Sequence, residues 1–258
     1  MTTALVTGAS SGIGLAFCQE LAGRGHDLVL VARDRARLEN VSDRLRASFG
    51  VRVEVLAADL SDRRQVQRVA DRLADPERPV DLLVNNAGFG LGHGFVSGDL
   101  ADEERALDVM CRAVLVLSHA AARSMRARRR GTIINVSSVA GFVVLSTYSA
   151  VKSFVTVFSE SLACELEGTG VTVTALCPGF TRTEFHDRAT MDMSRLPEPL
   201  WLDSGRLVRD GLADAAKGKV ISVPGPAYRV VVTLTKILPR RLVRRASHAV
   251  GSGRRRKD

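Results

Sequence analysis

A tyrosine and a lysine stand four residues apart in the stretch STYSAVK, residues 146–152. On a helix this spacing brings the phenol of Tyr148 and the ammonium of Lys152 to one face, one turn apart. A phenol of pKa about 10 must exchange a proton near pH 7, which costs roughly 4 kcal/mol. One cation about 4 Å away supplies roughly that much at an effective dielectric constant of about 20, so the pair could perform acid–base catalysis. Taken alone, it also fits a half-buried tyrosine beside a solvated lysine.

A glycine-rich loop, TGASSGIG at residues 7–14, follows the first predicted strand and opens a predicted helix. Glycines at Gly8, Gly12 and Gly14 would let the backbone approach a pyrophosphate closely. The N–H groups and the dipole of the next helix would favour that anion. The spacing differs from the common G-x-G-x-x-G pattern, so the position of the loop between strand and helix is what indicates a dinucleotide site.

Apolar, β-branched runs alternate with segments of helical periodicity along the chain. Continuous apolar strands joined by helices predict an α/β protein with a Rossmann-type doubly wound parallel sheet of about seven strands, covered by helices on both faces, in a single domain. Ligands of such folds bind at the carboxyl ends of the strands. The predicted strands are residues 4–7, 28–32, 51–57, 81–85, 132–137, 171–177 and 219–224, and the predicted helices are residues 12–23, 35–48, 62–74, 101–126 and 148–167.

The formal net charge of +9 is concentrated at the C-terminal end of the chain. Residues 236–258 carry nine cations and one anion, which leaves +1 for the other 235 residues. This distribution does not indicate a nucleic-acid-binding body. The four cysteines are scattered without a C-x-x-C pair, so we predict no disulfide framework, no metal site and a reducing compartment. The N-terminus enters an apolar strand at once, and we expect a cytoplasmic protein.

Five motifs follow one another in a characteristic order: the glycine loop, NNAG at residues 85–88, Ser138, the Tyr148/Lys152 pair, and PGFTRT at residues 178–183. Together they resemble the short-chain dehydrogenase/reductase family, closely over about residues 3–183 and loosely over the remainder. The resemblance implies a one-domain Rossmann-type oxidoreductase with a nicotinamide dinucleotide cofactor, commonly a homodimer or homotetramer.

The resemblance also implies roles for the catalytic residues. Tyr148 would be the general acid/base, Lys152 would lower its pKa and hold the nicotinamide ribose, and Ser138 would hydrogen-bond the substrate oxygen. Ser137 is the neighbouring alternative, although the V-A-G that follows favours Ser138.

By the same resemblance, a further set of residues would bind the cofactor. The pyrophosphate would be cradled by Ser10, Ser11, Gly12, Ile13 and Gly14. The adenine would lie between Asp59 and Leu60, and the adenosine ribose would lie beside Asn86. The nicotinamide carboxamide would be reached by Thr181 and Thr183. The remaining predicted cofactor-binding residues are Gly8, Arg33, Ala87, Gly88, Pro178 and Gly179, together with Tyr148 and Lys152.

The residues after the second predicted strand bear on the choice of cofactor. An NAD-dependent relative would carry an acidic residue just before Arg33 to bind the ribose 2′-OH, and this chain has Ala32 there. An arginine can pair with a 2′-phosphate instead. NADP(H) is therefore favoured over NAD(H), and a merely solvated arginine is the alternative.

Two features depart from the family's pattern. The serine and the tyrosine usually stand farther apart than the ten residues that separate Ser138 from Tyr148, which predicts a shortened active-site loop and a reshaped substrate opening. The family's asparagine that holds a relay water falls at Met110, and a thioether is only a weak acceptor. A backbone carbonyl could hold the water if helix 101–126 kinks. His93, in a glycine-rich loop, could contact substrate or be an exposed loop histidine.

We divide the chain into a Rossmann-fold catalytic domain, residues 1–235, and a basic C-terminal helix and tail, residues 236–258. Within the first, residues 182–207 lack a clear period and predict a substrate lid. The apolar residues that we assign to this lid are Met191, Met193, Leu196, Leu200 and Trp201. The C-terminal segment predicts a helix broken near Pro239 and then a disordered tail. Its cations suit peripheral contact with a membrane or an acidic carrier.

The sequence therefore predicts an NADP-dependent oxidoreductase that reduces a ketone, a 3-oxoacyl group or another apolar carbonyl, to a secondary alcohol, with Tyr148 as general acid/base. The substrate is inferred from the apolar lid and the basic, partly apolar C-terminus. Two alternatives stay open. One is a secondary-alcohol dehydrogenase working in the oxidative direction, and the other is a dinucleotide-binding sensor or interaction protein with vestigial activity.

Overall fold

The structure, a computed structural model, describes residues 2–183 and 197–252. Seven strands form one parallel sheet in the order β3-β2-β1-β4-β5-β6-β7. The predicted doubly wound α/β fold is thereby confirmed. The strands are β1 (Thr3–Thr7), β2 (Asp27–Ala32), β3 (Val53–Ala57), β4 (Leu82–Asn85), β5 (Gly131–Val136), β6 (Val171–Leu176) and β7 (Ile221–Ser222).

The strand order creates a crevice beside β1. The chain runs outward from β1 to β2 and β3 and then returns to β4, so that β1 pairs with both β2 and β4. At such a reversal the loops that leave neighbouring strands diverge and open a crevice at their carboxyl ends. Two of the predicted motifs, the glycine loop after β1 and NNAG at the end of β4, lie on its two sides.

Helices cover both faces of the sheet. One face packs against α1 (Gly12–Gly23), α2 (Arg35–Phe49) and α7 (Ser204–Ala216), and the other packs against α3 (Arg63–Ala74), α5 (Ala113–Ala127) and α6 (Thr147–Glu165). Aspartates cap several of these helices, as Asp34 does when its side chain accepts a hydrogen bond from the backbone N–H of Arg37. The remaining helices are α4 (Leu100–Leu107), α8 (Pro226–Ile237) and α9 (Arg240–Ser252).

The predicted helix over residues 101–126 is interrupted. Residues Asp108–Arg112 form a π-helix between α4 and α5, and the N–H of Ala113 bonds to the carbonyl of Asp108, five residues back. A single-turn π-helix inserts one residue into the hydrogen-bond ladder and bends the helix there. A pattern of apolar side chains does not show such an insertion, because the apolar face continues on either side of it.

The predicted lid and C-terminal helix differ from the structure in extent. A 3₁₀ helix, Glu198–Leu200, and the beginning of α7 lie within residues 197–207, which we expected to be irregular. The lid residues Met191, Met193 and Leu196 lie outside the described residues. The predicted break at Pro239 separates α8 from α9, and the domain boundary predicted at residue 235 lies inside α8. None of the helices described is long and apolar enough to cross a membrane.

Candidate active site

The glycine positions of the loop leave little room for side chains. Gly8 has φ +66° and Gly12 has φ +55°, backbone angles that other residues rarely adopt. A Cβ at Gly14 would lie 2.1 Å from the carbonyl oxygen of Gly8, and one at Gly12 would lie 3.2 Å from Cβ of Thr183. The chain can therefore approach a ligand closely at these glycines, and α1 begins within the loop at Gly12.

The NNAG motif is fastened to the glycine loop. The hydroxyl of Thr7 accepts hydrogen bonds from the backbone N–H groups of Asn86, at 2.9 Å, and of Ala87, at 3.0 Å. The amide Nδ2 of Asn86 donates to the carbonyl of Thr7 at 2.9 Å. Asn86 therefore joins the two sides of the crevice, whereas its contact with a ribose stays a prediction.

A groove of about 530 Å³ extends from the glycine loop along α2. Its lining residues are Ser10, Ser11, Gly12, Leu15, Arg37, Asn40, Val41 and Arg44. Two cations, Arg37 and Arg44, line the groove, and Arg33 is exposed directly after β2. Arg37 was not predicted, although a second arginine four residues after Arg33 was a visible signal.

Asp59 lies beyond β3 on the adenine side of the predicted site. Burial acts to raise the pKa of its carboxyl, but hydrogen bonds from the backbone and hydroxyl of Ser61 and the charges of Arg33 and Arg105 leave that pKa below its usual value. Asp59 is thus held as a carboxylate. The side chain of Leu60 is buried in the core with residues of α3 and α5, and a contact between Leu60 and the adenine stays a prediction.

The three predicted catalytic residues meet at the carboxyl end of β5. Ser138 caps a 3₁₀ helix, Val139–Phe142, and hydrogen-bonds through its hydroxyl to the phenol of Tyr148. The hydroxyl of Ser138 also lies 3.4 Å from the carbonyl of Pro178. Ser137 instead points into the core, where its hydroxyl donates to the carbonyl of Lys152 at 2.7 Å. Of the two serines, Ser138 is the one that hydrogen-bonds to Tyr148, and its contact with a substrate stays a prediction.

Lys152 is buried beneath Tyr148. Its Nζ donates to the carbonyl of Val136 at 2.9 Å and lies 5.6 Å from the centroid of the tyrosine ring. It also lies 3.7 Å from where a Cβ of Gly88 would be, so the absence of that side chain keeps the lysine close to the crevice. Burial lowers the pKa of Lys152 to about 8. The buried lysine therefore loses its proton more readily than an exposed lysine does.

The expected effect of Lys152 on Tyr148 is not found in this structure. Burial raises the pKa of Tyr148 well above 10, and the hydrogen bond with Ser138 offsets only part of that rise. Desolvation disfavours the phenolate more than the lysine favours it, because the ammonium is directed at the carbonyl of Val136 rather than at the phenol. Tyr148 is thus protonated at neutral pH.

Comparison with known proteins identifies the family to which this fold and this group of residues belong. Residues 2–194 match the family model of the short chain dehydrogenases. The chain belongs to the short-chain dehydrogenase/reductase family. It is 34% identical over 235 residues to galactitol 2-dehydrogenase (L-tagatose-forming) of Cereibacter sphaeroides, a match that covers 88% of this chain and 89% of that protein.

Solved structures of the family have the same fold. A short-chain dehydrogenase from Sphingobium yanoikuyae in complex with NADPH is 36% identical, with a TM-score of 0.83 over 93% of this chain and 97% of that one. A bulky-bulky ketone specific alcohol dehydrogenase from Comamonas testosteroni is 31% identical, with a TM-score of 0.79 over 93% and 96% of the two chains. The protein is therefore an oxidoreductase that uses a nicotinamide dinucleotide, and the bare glycine loop with its groove fits that cofactor.

The position of the family's relay asparagine is filled by an apolar cluster. Met110 is buried among Ala106 and Val151, with Tyr148 packed against the same cluster. Met110 lies on the π-helix, an irregularity of the kind at which helices kink, and a relay water held there stays a prediction. The side chain of Arg112 fixes this segment, because its Nε donates to Asp108 at 2.7 Å and its Nη2 donates to the carbonyl of Ser61 at 2.9 Å.

The second tyrosine of the chain has a part that sequence reasoning missed. The hydroxyl of Tyr228 donates to the carbonyl of Leu200 at 2.7 Å and accepts from the N–H of Phe180 at 3.1 Å. Its ring occupies the space where Gly179 lacks a side chain. Helix α8 thus holds the PGFTRT segment, in which Thr181 is buried and bridges to Leu202. No motif signalled this contact, which joins residues 28 and 48 positions apart.

His93 lies on the loop between β4 and α4. Its Nε2 is 3.5 Å from a carboxylate oxygen of Asp102, and its ring fills the space beside Gly98. The histidine is therefore partly buried against neighbouring residues. This differs from the exposed loop histidine that was one of our two expectations. All four cysteines are free.

Proposed function

We propose that this protein reduces a ketone with apolar substituents to a secondary alcohol, using NADPH. The observation that carries the proposal is the hydrogen bond between Ser138 and Tyr148 beside the buried Lys152, at the carboxyl end of β5. When bound, the cofactor supplies the hydride. Side chains of the protein would donate the proton to the ketone oxygen and stabilise the charge that develops there.

Tyr148 would donate its phenolic proton to the ketone oxygen as negative charge develops there. Ser138 would turn its hydroxyl from the carbonyl of Pro178 to the same oxygen and stabilise that charge. The phenolate left on Tyr148 would then be stabilised by the ammonium of Lys152, which can leave the carbonyl of Val136. A proton from solvent restores the phenol.

The protonation state of Tyr148 supports the reductive direction. A proton donor must hold its proton at working pH, and burial raises the pKa of this phenol. The oxidative direction needs the phenolate, which burial of the phenol disfavours. A secondary alcohol would therefore react more slowly at neutral pH than the corresponding ketone.

Apolar side chains beside the site support an apolar substrate. Phe180 and Trp201 pack edge to face, with ring centroids 6.4 Å apart, on the segment held by Tyr228. Phe142 and Val139 belong to the same apolar cluster. The relative from Comamonas testosteroni is specific for bulky ketones, whereas galactitol is a polar sugar alcohol. These apolar side chains, two of them aromatic rings in contact, suit a ketone with bulky apolar substituents.

A panel of carbonyl compounds tests the proposal. NADPH oxidation would be followed with bulky aryl and alkyl ketones, 3-oxoacyl thioesters and sugar ketones of matched concentration, and each alcohol product would be offered with NADP⁺. We expect the highest kcat/KM with bulky apolar ketones. Turnover confined to sugars would exclude the proposed substrate class, and no turnover with any compound would favour a dinucleotide-binding protein with vestigial activity.

Replacing Arg33 with alanine should change cofactor choice. A charge-assisted hydrogen bond to a 2′-phosphate contributes about 1.5–3 kcal/mol, so Arg33→Ala should weaken NADPH binding about 10- to 100-fold and leave NADH binding unchanged. Both cofactors would be titrated by fluorescence. Arg35→Ala is the matched control, because Arg35 is exposed nearby and pairs with Glu39. Equal losses for both cofactors would show that Arg33 does not read the 2′-phosphate.

We also propose that the protein is a homodimer through α5 and α6. An apolar stripe on α6 consists of Phe154, Val157 and Phe158, with the two phenylalanine rings stacked 5.9 Å apart, and Leu115 is exposed on α5. Val157 is 60% exposed. A second copy would bury such a face, and oligomers of this kind are commonly symmetric dimers.

Introducing a charge at Val157 tests the dimer. Because a two-fold interface repeats each residue, Val157→Arg would place two arginines in it and should convert the dimer to monomers in sedimentation velocity. Val96→Arg, at a loop position that is 98% exposed, should leave the mass unchanged. A wild-type monomer at micromolar concentration, or a dimer that survives Val157→Arg, would contradict this interface.

A further inference from the structure

The last two helices present an apolar surface that the protein body does not cover. On α8, Tyr228 and Val232 are buried against the body. Val230, Leu234 and Ile237 recur at intervals of four and three residues and point the other way, with exposures of 59%, 49% and 74%. These three residues are called the outer stripe. An apolar row of this length on the solvent side of a helix indicates a binding surface.

Exposed cations flank the outer stripe along the chain. Within residues 226–247 there are six cations and no acidic residue. All six side chains are exposed: Arg229, Lys236, Arg240, Arg241, Arg244 and Arg245. The break at Pro239 begins α9 directly after the stripe, so that four arginines follow its last residue within eight positions. The surface therefore combines apolar side chains with a local charge of +6.

Both helices are fastened to the protein body. Val243 of α9 is buried, and the hydroxyl of Ser247 accepts a hydrogen bond from the N–H of Val144 at 3.1 Å. The Nζ of Lys236 lies 5.6 Å from the ring centroid of Phe142. Phe142 and Val144 belong to the loop between Ser138 and Tyr148. The cationic surface is thus adjacent to the active-site loop.

We propose that α8 and α9 dock on an anionic lipid bilayer, with the outer stripe among the acyl chains at the interface and the surrounding cations at the lipid phosphates. Interfacial helices have this composition, an apolar face with Lys and Arg on the polar flanks. Each cation near an anionic membrane adds favourable electrostatic energy, and six act together here.

The charge argues against a second copy as the occupant of this surface. A two-fold contact through the outer stripe would place six cations of one chain against the same six of the other, and no acidic residue within 226–247 could pair with them. An acidic protein would match the charge, but it would also need an apolar groove complementary to the exposed side chain of Ile237. An anionic bilayer matches the charge and buries the outer stripe without a preformed groove, because lipids rearrange around the helix.

Docking would place the active-site loop near the membrane. Phe142 and Val144 contact the two helices directly, so an apolar ketone could pass from the bilayer toward Tyr148 without crossing bulk water. The docking itself does not depend on the proposed reaction. Vesicle binding and ketone turnover are separate measurements, and either can fail alone.

Co-sedimentation with vesicles tests the docking. The full-length protein would be mixed with vesicles of phosphatidylcholine alone and with vesicles that contain phosphatidylserine, at low and at moderate salt. We expect binding to the anionic vesicles only, weakened by salt because exposed charges are screened. The insertion of the stripe would be read from Ile237→Trp, whose added fluorescence should be quenched by brominated lipids, unlike that of the native Trp201.

Paired variants separate charge from apolar contact. Arg240→Glu with Arg241→Glu should weaken anionic-vesicle binding by about 30-fold or more, because two favourable cations become repulsive. Leu234→Ser with Ile237→Ser should weaken it by about 10-fold or more while leaving its salt dependence unchanged. Arg63→Glu with Arg64→Glu changes the same charge on an exposed turn of α3 and should leave binding close to that of the wild type.

Several outcomes would overturn the proposal. The first is equal binding of the wild type to neutral and anionic vesicles, or no binding to either. The second is anionic-vesicle binding that falls as much with the α3 control as with the α9 pair. The third is a wild-type protein that does not bind vesicles but binds a soluble acidic protein, with that binding lost in the stripe variant. The fourth is a change of sedimentation mass in the stripe variant with no vesicle binding by the wild type, which would assign the stripe to a contact between copies.

Discussion

Replacing Tyr148 with phenylalanine should lower ketone turnover by about 100- to 10,000-fold, the range that a general acid contributes. The substitution removes only the hydroxyl, so the ring still packs against the cluster around Met110. The hydrogen bond to Ser138 is lost, but that serine keeps the carbonyl of Pro178 within 3.4 Å. NADPH binding, measured by fluorescence, should change by less than about tenfold. The effect should therefore appear in kcat.

The chain offers a matched control in its second tyrosine. Tyr228→Phe is the same chemical change and also removes two hydrogen bonds, to Leu200 and Phe180, at a site that touches no reacting atom. It should lower the free energy of unfolding by about 1–3 kcal/mol and have a far smaller effect on turnover. If Tyr148→Phe retained turnover within tenfold of the wild type, or if both variants lost it equally, Tyr148 could not be the proton donor.

The fold could be predicted from the sequence because it depends on local alternation. Each strand is a short apolar run and each helix has its own periodicity, so the α/β class follows from the alternation itself. The order of the strands does not, because it depends on pairings such as Ala4 with Leu82, far apart along the chain. The π-helix at Asp108–Arg112 was also invisible, since one inserted residue leaves the apolar pattern of the helix readable.

The site could be predicted as a set of residues but not as an electrostatic environment. Motif order indicated Ser138, Tyr148 and Lys152, and the structure brings them together. The rise in the pKa of Tyr148 depends on burial by Met110 and other residues of distant elements, which no spacing shows. The expected attraction between Lys152 and the phenol assumed a free ammonium, whereas Nζ donates to the carbonyl of Val136.

Lys152 should make the folded protein less stable at neutral pH than it is in alkali. Burial lowers its pKa from 10.5 to about 8, so the lysine binds its proton less tightly in the folded state than in the unfolded one. Below pH 8 it is charged in both states, and the folded state bears a cost of roughly 3 kcal/mol. Between pH 8 and 10.5 the unfolded state holds more protons, so stability rises with pH and the cost disappears.

Lys152→Met should therefore abolish turnover and yet stabilise the fold at pH 7. Methionine fills a similar volume without a charge, but it leaves the carbonyl of Val136 without its donor, which costs about 1 kcal/mol or more. The net gain at pH 7 should be about 1–2 kcal/mol. This gain in the free energy of unfolding should fall by roughly 3 kcal/mol as pH rises to 10.5, so that the variant becomes less stable than the wild type. Urea unfolding of both proteins at several pH values measures the difference.

The exposed Lys217 at the end of α7 supplies the control, since Lys217→Met should change stability by less than about 0.5 kcal/mol throughout this pH range. A difference between wild type and Lys152→Met that does not vary with pH would mean that the ammonium is not desolvated, and the burial of Lys152 would then have no part in its chemistry. If Lys152→Met were less stable than the wild type at pH 7 and more stable at pH 10, the pH dependence would have the opposite sign. That result would also exclude the desolvation of Lys152. A residue whose removal strengthens the fold while ending catalysis is retained for function, because packing alone would have replaced it.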